Sequence, residues 1–273
     1  MKTLKYLNRF HDQSLLDEFN ASHNKDGHCF NPSFLDGTFS FSRLDLDQKH
    51  TETFVTRSGT PARLGGYAAR LHEIDGQKYV IHNSGNASPN MLWAQPADPV
   101  GNLVDLEYID RKDVEKNWSI LNYEDEVIAV YSLKPLKILI RTETAPHYWK
   151  FELLHEGSQP EESLHIGTPF IMVNGQLMAM ANRHVQINSI SRVIVGEWIS
   201  LNLDTLETES HSQWVYDLES TFGMGRPFNT PRTVSCSYFT GIAQDGDDVL
   251  LSYGVNDHRC EFARVPLSEL MQS

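Results

Sequence analysis

An all-β fold is the architecture that the sequence predicts, and two features of the chain indicate it. Short apolar runs rich in β-branched and aromatic residues alternate with polar turns, as in "TPFIMVNGQLMAMANRH" over 168–184. The turns carry residue pairs typical of tight hairpins, Asp-Gly at 36–37 and 75–76 and Asn-Gly at 174–175. Strands and helices do not alternate along the chain, and this argues against a doubly wound α/β fold.

Five of these hairpin modules follow one another at spacings of roughly 40 to 65 residues, which favours a repeat architecture. A β-propeller fits this pattern, because its blades are small antiparallel sheets arranged in a ring. We therefore predict one five-bladed β-propeller domain over residues 1–273, with a β-sandwich or two small β domains as the alternatives. Short helices are expected only near the ends, at 12–19 and 267–272. The blades are expected at roughly 28–58, 66–109, 114–156, 164–218 and 233–268.

The composition limits the classes of function. The chain has 273 residues, of which 40% are hydrophobic and 22% charged, as is ordinary for a globular protein with a real core. Its net charge of -13 argues against a protein that binds the phosphate backbone of a nucleic acid. A local basic pocket for a small anionic ligand is still compatible with this charge.

The cysteines and the hydropathy of the chain bear on its location in the cell. Cys29, Cys236 and Cys260 have a spacing that matches neither a disulfide framework nor a metal site. The first residues lack the apolar core of a signal peptide, and no stretch approaches the roughly 20 apolar residues of a membrane span. We therefore expect a cytoplasmic protein with reduced thiols.

Polar residues recur near the ends of the strands that would line the centre of the ring. In a propeller, equivalent positions of successive blades converge on the central channel, so these residues are candidates for one shared pocket. Trp118 has two interpretations, because its ring suits either a sugar face or the core. Tyr238 is a further polar residue of the fifth module. The substrate-binding candidates are Asn31, Arg70, Lys116, Asn117, Trp118, Thr168, His184 and Tyr253.

Several motifs occur together in an order that is typical of one group of proteins. They are "FNPSF" (30–34), "EKNWSIL" (115–121) with "VYSLKP" (130–135), "HIGTPFIMVNGQLMAMANRH" (165–184) and "VLLSYGVNDHRCEFARVPLSEL" (249–270). With them, the chain resembles five-bladed β-propeller carbohydrate-active enzymes over roughly residues 28–270. The resemblance is to β-mannoside phosphorylases and the related propeller mannosyl- and glycosyltransferases.

The resemblance implies glycosyl transfer in the central pocket, without a metal or another cofactor. In such enzymes a carboxylic acid donates a proton while phosphate, water or a sugar hydroxyl attacks the anomeric carbon. The partners implied are a sugar donor, either a nucleotide sugar or a sugar phosphate, and a carbohydrate acceptor. Phosphorylases of this kind also hold phosphate with Arg, Lys, His and Tyr, and Arg70, Lys116 and His184 fall on comparable positions. These residue types suit a phosphate or diphosphate group.

One departure from the family pattern concerns the proton donor. In the phosphorylases the second-module Arg follows Glu-Asp-Pro, and the Asp of that motif is the expected acid. This chain reads Tyr67-Ala68-Ala69-Arg70, with Ala68 at the position of the Asp. An alanine cannot transfer a proton, so another carboxylate has taken the role, the chemistry differs, or catalysis is lost.

Two carboxylates remain as catalytic candidates, Glu115 and Asp257. The charge of the adjacent Lys116 favours an ionised Glu115, which suits a base or a sugar-hydroxyl acceptor better than an acid. Asp257 ends a strand, and both a turn role and a place in the pocket are open. No pair of carboxylates has a spacing that identifies an acid and a base, so simple glycoside hydrolysis is the weaker interpretation.

Three functions are therefore compatible with the sequence. The leading hypothesis is a metal-independent glycosyltransferase that acts on a sugar-nucleotide or sugar-phosphate donor. The alternative is a β-mannoside phosphorylase or glycosidase with a relocated acid. A catalytically inactive, glycan-binding propeller is the third, and Ala68 is its main support.

Overall fold

A computed structural model of the protein describes residues 2–3, 27–45, 50–56, 61–85, 87–215 and 233–271. The all-β prediction is confirmed, since nearly all regular structure in these ranges is β-strand. The helix expected at the C-terminal end is present as the short α1, Leu267–Leu270. The helix expected at 12–19 lies outside the described residues.

Most strands form five consecutive antiparallel groups, and the first two groups precede residue 110. The first group comprises β2 Gly27–Leu35, β3 Thr38–Asp45, β4 His50–Thr56 and β5 Ala62–Arg63. The second comprises β6 Tyr67–Ile74, β7 Gln77–Asn83, β8 Leu92–Pro96 and β9 Val104–Tyr108.

The remaining three groups continue the same plan. The third comprises β10 Ser119–Tyr123, β11 Glu126–Leu133, β12 Leu136–Ala145 and β13 Tyr148–Glu156. The fourth comprises β14 Leu164–Ile166, β15 Ile171–Val173, β16 Gln176–Gln186, β17 Arg192–Asn202 and β18 Glu207–Val215. The fifth comprises β19 Thr233–Asp245, β20 Asp248–Val255 and β21 Arg259–Pro266.

Parallel pairings link some of the groups and the N-terminus. β9 of the second group pairs with β13 of the third, and β17 of the fourth pairs with β19 of the fifth. The N-terminal strand β1, Lys2–Thr3, lies parallel to β18. These links produce sheets of nine, eight and four strands within the described part of the chain.

Local turn chemistry explains why the hairpins form where they do. Asp36-Gly37, Asp75-Gly76 and Asn174-Gly175 all have positive φ at both residues, between 41° and 81°. A two-residue hairpin turn of type I′ requires this conformation, which Gly adopts freely and Asp and Asn tolerate. The hairpin turns predicted at these three positions are therefore confirmed.

Each pair of consecutive groups encloses a hydrophobic core, and the fifth group packs on the first in the same way. Burial of one large apolar side chain stabilises the fold by about 1.5–3 kcal/mol, so these contacts hold neighbouring groups together. Residues from the two sides that share a core are, from the first interface to the fifth, Val55 and Leu71, Leu106 and Phe151, Ile138 and Ile199, Trp198 and Phe239, and Phe39 and Phe262.

The three cysteines are all buried as thiols. Within the described ranges, no helix has the length and hydropathy that crossing a bilayer requires.

Candidate functional site

The first three groups share an unusual backbone feature within or just before their first strand. Asn31, Ala68 and Asn117 all have left-handed backbone conformations, with φ of 50°, 55° and 67°. At Asn31 and Ala68 the strand register shifts, so the residue bulges out of its ladder. Asn adopts this conformation readily, whereas for alanine it costs about 1–2 kcal/mol. Position 68 therefore has a backbone conformation that suits Asp or Asn better than the alanine present.

Contacts with the fifth group bring two of these residues together. The Asn117 Nδ2 donates to the phenol oxygen of Tyr238 over 3.1 Å. Tyr238 pairs with Gly254 across β19 and β20, and Gly254 lies directly against Asn31. A Cβ at position 254 would lie 2.5 Å from Asn31 Oδ1, so this approach requires glycine. Asn31, Asn117 and Tyr238 thus surround one point between the groups.

Arg70 extends from the second group to the same point. Its side chain is 1% exposed and donates hydrogen bonds to the main-chain oxygens of Gly167, Ala68 and Ile166. The guanidinium carbon lies 6.0 Å from the centre of the Tyr238 ring. Burial lowers the pKa of Arg70, and Tyr238 acts in the opposite direction. We call Asn31, Arg70, Asn117 and Tyr238 the central cluster.

Two amide oxygens of the central cluster have no protein donor. Asn31 Oδ1 and Asn117 Oδ1 are both buried, and neither accepts a hydrogen bond in the described structure. A buried acceptor without a donor costs about 1–3 kcal/mol, so these atoms are suited to a hydroxyl of a ligand or an ordered water.

Lys116 and His184 lie outside the central cluster, in a separate group of basic side chains. The His184 ring is 4.7 Å from that of His165, and its Nδ1 is 3.2 Å from Arg192 Nη1. Partial burial lowers the pKa of His165, and the positive charges of Lys116, Lys112 and Arg192 lower it further. We call Lys112, Lys116, His165, His184 and Arg192 the basic cluster.

Strand geometry sets the direction in which the basic cluster faces. Asn182, two residues before His184 on β16, exchanges hydrogen bonds of 3.0 and 2.8 Å with the Phe239 main chain in the fifth group. Alternate residues of a strand share a face, so His184 points to the same side as Asn182. His165 lies opposite Asn182 in the β14–β16 pair and therefore shares that side. Since Lys116 precedes Asn117, the basic and central clusters are neighbours.

Glu115 accepts hydrogen bonds from several groups within the protein. Its buried carboxylate accepts hydrogen bonds from Tyr131 Oη at 2.7 Å, from Trp118 Nε1 at 2.8 Å and from the Lys112 main chain. Burial raises the pKa of Tyr131, and its hydrogen bond to Glu115 acts in the same direction. Trp118 is 1% exposed and packs edge-on against Tyr131 and Phe151. This placement favours a core role for Trp118 over stacking on a sugar.

Thr168 and Tyr253 are also occupied by contacts within the protein. Thr168 Oγ1 accepts from the Met180 main chain and donates to Pro169, each over 3.0 Å. Tyr253 is 2% exposed and packs on Phe239, with ring centres 5.0 Å apart. Both residues thus lie in the packing around the fourth and fifth groups.

Asp257 lies in the turn between β20 and β21. Asn256 and Asp257 have positive φ values of 50° and 56°, respectively. His258 N donates a hydrogen bond to Val255 O over 3.0 Å and closes the turn. The side chain is nonetheless buried, at 5% exposure. Its place in the turn agrees with the interpretation of Asp257 as a turn residue.

Sequence reasoning missed three members of the basic cluster: Lys112, His165 and Arg192. A signal existed for His165, which opens the "HIGTP" motif two residues before Gly167. Arg192 begins β17 and reaches His184 only because the two strands pair antiparallel. Tyr238 was identified as a polar residue of the fifth module, but its place beside Arg70 depends on packing between groups.

A groove of about 500 Å³ lies elsewhere, between the third and fourth groups. It contains none of the residues predicted for the site. Its lining is polar, formed by residues such as Lys134, Gln159, Gln176, Asn202 and Glu207.

Comparison with known proteins identifies similar folds. No protein-family model and no curated protein matches the sequence. A mannose phosphorylase from Leishmania mexicana, solved with a phosphate ion, has a TM-score of 0.63 at 9% identity and covers 97% of both chains. A β-1,2-mannobiose phosphorylase from Listeria innocua, solved with β-1,2-mannobiose, has a TM-score of 0.61 at 13% identity and covers 97% of this chain and 98% of its own.

A glycosyl hydrolase from Bacteroides ovatus is also similar, with a TM-score of 0.57 at 10% identity over 87% of this chain and 84% of its own. The sequence resemblance to propeller mannoside phosphorylases is thereby confirmed at the level of the fold. At sequence identities of 9–13%, these comparisons show a shared fold only.

Proposed function

We propose that the protein is a single five-bladed β-propeller whose blades are the five strand groups. Support comes from the hydrophobic cores, because one lies between each pair of consecutive groups and another between the fifth and the first. A sandwich would bury one core between two sheets, whereas a ring of blades needs a core at every interface. The central cluster then lies where the blades converge.

We further propose that the protein is a carbohydrate-active enzyme of the β-mannoside phosphorylase type. The observation that carries this proposal is the basic cluster, which lies near buried amide acceptors on the side of the fourth group that faces the fifth. Cationic and imidazole side chains suit a phosphate, and amide oxygens suit sugar hydroxyls. One similar structure holds phosphate and another holds β-1,2-mannobiose.

The glycosyltransferase hypothesis has less support than this alternative. The similar structures named above are phosphorylases and a hydrolase, and none is described as a transferase. A nucleotide-sugar donor is therefore not proposed.

In this proposal the two clusters have different roles in phosphorolysis: the basic cluster binds phosphate and the central cluster binds the sugar. Lys116 and Arg192 would balance the charge of a phosphate dianion and direct one of its oxygens to the anomeric carbon. Asn31 and Asn117 would accept hydrogen bonds from hydroxyls of the sugar being transferred. Arg70 is engaged with main-chain oxygens, so we assign it to holding the site together instead of to the phosphate.

The test is incubation of the full-length protein with β-1,2-mannobiose and inorganic phosphate, followed by NMR detection of a sugar 1-phosphate. The expected result is a product whose formation depends on phosphate, and Lys116→Ala should reduce its rate by about 100-fold while Lys134→Ala does not. Lys134 is a matched control because it lies on the outer groove. Free mannose formed at the same rate without phosphate would indicate a hydrolase and contradict the proposal.

A second candidate is a propeller that binds a glycan without turning it over. Ala68 favours it, because alanine stands where the resemblance places the acid of the family. Calorimetry would then show binding of mannobiose, and prolonged incubation with phosphate would give no product.

A further inference from the structure

Phosphorolysis of a mannoside requires a proton for the oxygen that leaves the anomeric carbon, and Ala68 cannot supply it. Glu115 is badly placed for this role, because its carboxylate already accepts hydrogen bonds from Tyr131, Trp118 and the Lys112 main chain. These three hydrogen bonds occupy both carboxylate oxygens as acceptors. The other carboxylate candidate, Asp257, lies in the turn between β20 and β21, so we consider a donor that is not a carboxylic acid.

We propose that Tyr238 is the proton donor, an assignment that rests on the proposed phosphorylase function. Its phenol oxygen belongs to the central cluster, 3.1 Å from Asn117 Nδ2, and its side chain is only partly buried. Arg70 connects it to the position of the missing acid. The guanidinium faces the Tyr238 ring at 6.0 Å and donates to the Ala68 main-chain oxygen over 3.0 Å.

The side chain at position 68 is part of the same argument. Alanine ends at Cβ, and the Arg70 guanidinium meets only the main-chain oxygen of this residue. A carboxylate there would also compete for the Arg70 guanidinium, which here lies against Tyr238. The alanine and the phenol are thus complementary: one removes the usual acid, and the other provides an O–H group at the same cluster.

The chemical step balances without a further reactant. The phenol O–H transfers its proton to the glycosidic oxygen as the bond from that oxygen to the anomeric carbon breaks. Hydrogen phosphate attacks the anomeric carbon and forms the new carbon–oxygen bond of the sugar 1-phosphate. The proton that hydrogen phosphate loses restores the phenol, and the leaving sugar departs as a neutral alcohol.

The positive charge of Arg70 favours this transfer. During the step Tyr238 becomes a phenolate, and a buried guanidinium at this distance stabilises the developing negative charge. A phenol is also a stronger acid than a sugar hydroxyl, so transfer of its proton to the departing alkoxide oxygen is favourable. Arg70 is in this sense a positioning residue, which holds the phenol and stabilises its anion.

The test uses two substrates that differ in their need for a proton. β-1,2-Mannobiose has a poor leaving group, whereas the p-nitrophenolate of p-nitrophenyl β-mannoside leaves without protonation. Tyr238→Phe should lower kcat for phosphorolysis of mannobiose by about 100-fold or more and change kcat for the aryl mannoside by less than about threefold. Tyr148→Phe is the control and should change neither, because the Tyr148 phenol lies on the outer strand β13 and donates to Glu143.

A rescue variant makes the assignment specific. The double variant Ala68→Asp with Tyr238→Phe places the family's acid in the variant background. It should restore phosphorolysis of mannobiose and shift the alkaline limb of the pH profile to lower pH. A thermal unfolding curve for each variant checks that it is folded, since Tyr238→Phe keeps the ring and removes only the hydroxyl.

Other results would overturn the assignment in distinct ways. Equal losses on both substrates would make Tyr238 a binding residue, and wild-type rates on mannobiose would remove it from the reaction. In either case the phosphorylase function would stand. If the wild-type protein released no sugar 1-phosphate from either substrate, the proposed function would fall, and the role of Tyr238 with it.

Discussion

Arg70 and Gly167 lie 97 residues apart in the sequence, yet the Arg70 Nε donates a hydrogen bond to the main-chain oxygen of Gly167. The same guanidinium reaches Ile166 and Ala68 and faces Tyr238. One buried cation therefore connects the second, fourth and fifth strand groups. A residue expected to bind phosphate thus donates hydrogen bonds to main-chain oxygens of two strand groups.

Removal of this side chain should destabilise the protein strongly. Arg70→Ala leaves the Gly167 and Ala68 oxygens without their donor, and we expect the free energy of unfolding to fall by about 3 kcal/mol. Urea unfolding measures the loss. Arg63→Ala is the control, because Arg63 makes a surface ion pair with Glu52 that is worth at most about 1 kcal/mol. A stable but inactive Arg70→Ala would instead assign the residue to the ligand.

The backbone at position 68 permits a test of strain. Because Ala68 has φ of 55°, Ala68→Gly should stabilise the protein by about 1 kcal/mol, and Ala68→Asn should have a smaller effect in the same direction. The matched control is Ala145→Gly at the end of β12. Position 145 is not among those with positive φ, so glycine there should destabilise the protein slightly. Loss of stability in Ala68→Gly would show that the left-handed conformation is not strained.

Two buried histidines predict a loss of stability in acid. Burial lowers the pKa of both His72 and His82 from 6.5 to about 4. Between these values the unfolded chain binds protons that the folded protein does not, so the free energy of unfolding falls as the pH is lowered through this interval. At its lower end the loss is about 3 kcal/mol per histidine.

Urea unfolding at a series of pH values measures this dependence. His72→Gln should remove about half of the loss, because one titrating group of the pair is gone. His147→Gln is the control, since His147 is exposed in the turn after β12. An acid limb that is unchanged in His72→Gln would exclude His72 as its source.

The affinity of the basic cluster for anions should increase as the pH is lowered, whereas the stability of the fold decreases. The pKa of His165 is lowered by partial burial and by neighbouring cations, and a bound anion would raise it again. Binding then takes up a proton, so affinity should increase as the pH falls, by up to about tenfold per pH unit. Sulfate is the appropriate probe, because its charge stays constant over this range whereas that of phosphate does not.

Calorimetric titration with sulfate from about pH 7.5 to about pH 5.5 measures the effect. His165→Gln should bind sulfate more weakly and with little pH dependence, whereas His147→Gln should behave as the wild type. Affinity that is constant with pH in the wild-type protein would show that His165 does not contact the anion.

Different parts of the site were predictable to different degrees. Asn31, Arg70 and Asn117 are candidates from the sequence, and the structure brings them together with Tyr238. The sequence could not show that Trp118 is 1% exposed, since its motif is compatible with either face of the strand. Nor could it show that Arg192 reaches His184, because strand pairing creates that contact.

The sequence by itself determined the strands and their turns. Pairs such as Asp75-Gly76 specify a hairpin through the φ values that those residues tolerate, and this preference is local. Only the tertiary structure decided which polar residues face one another. Arg70 hydrogen-bonds to main-chain oxygens of the fourth group, and Lys116 of the third group lies near His165 of the fourth. Such contacts join distant segments through packing between groups, and no local preference encodes them.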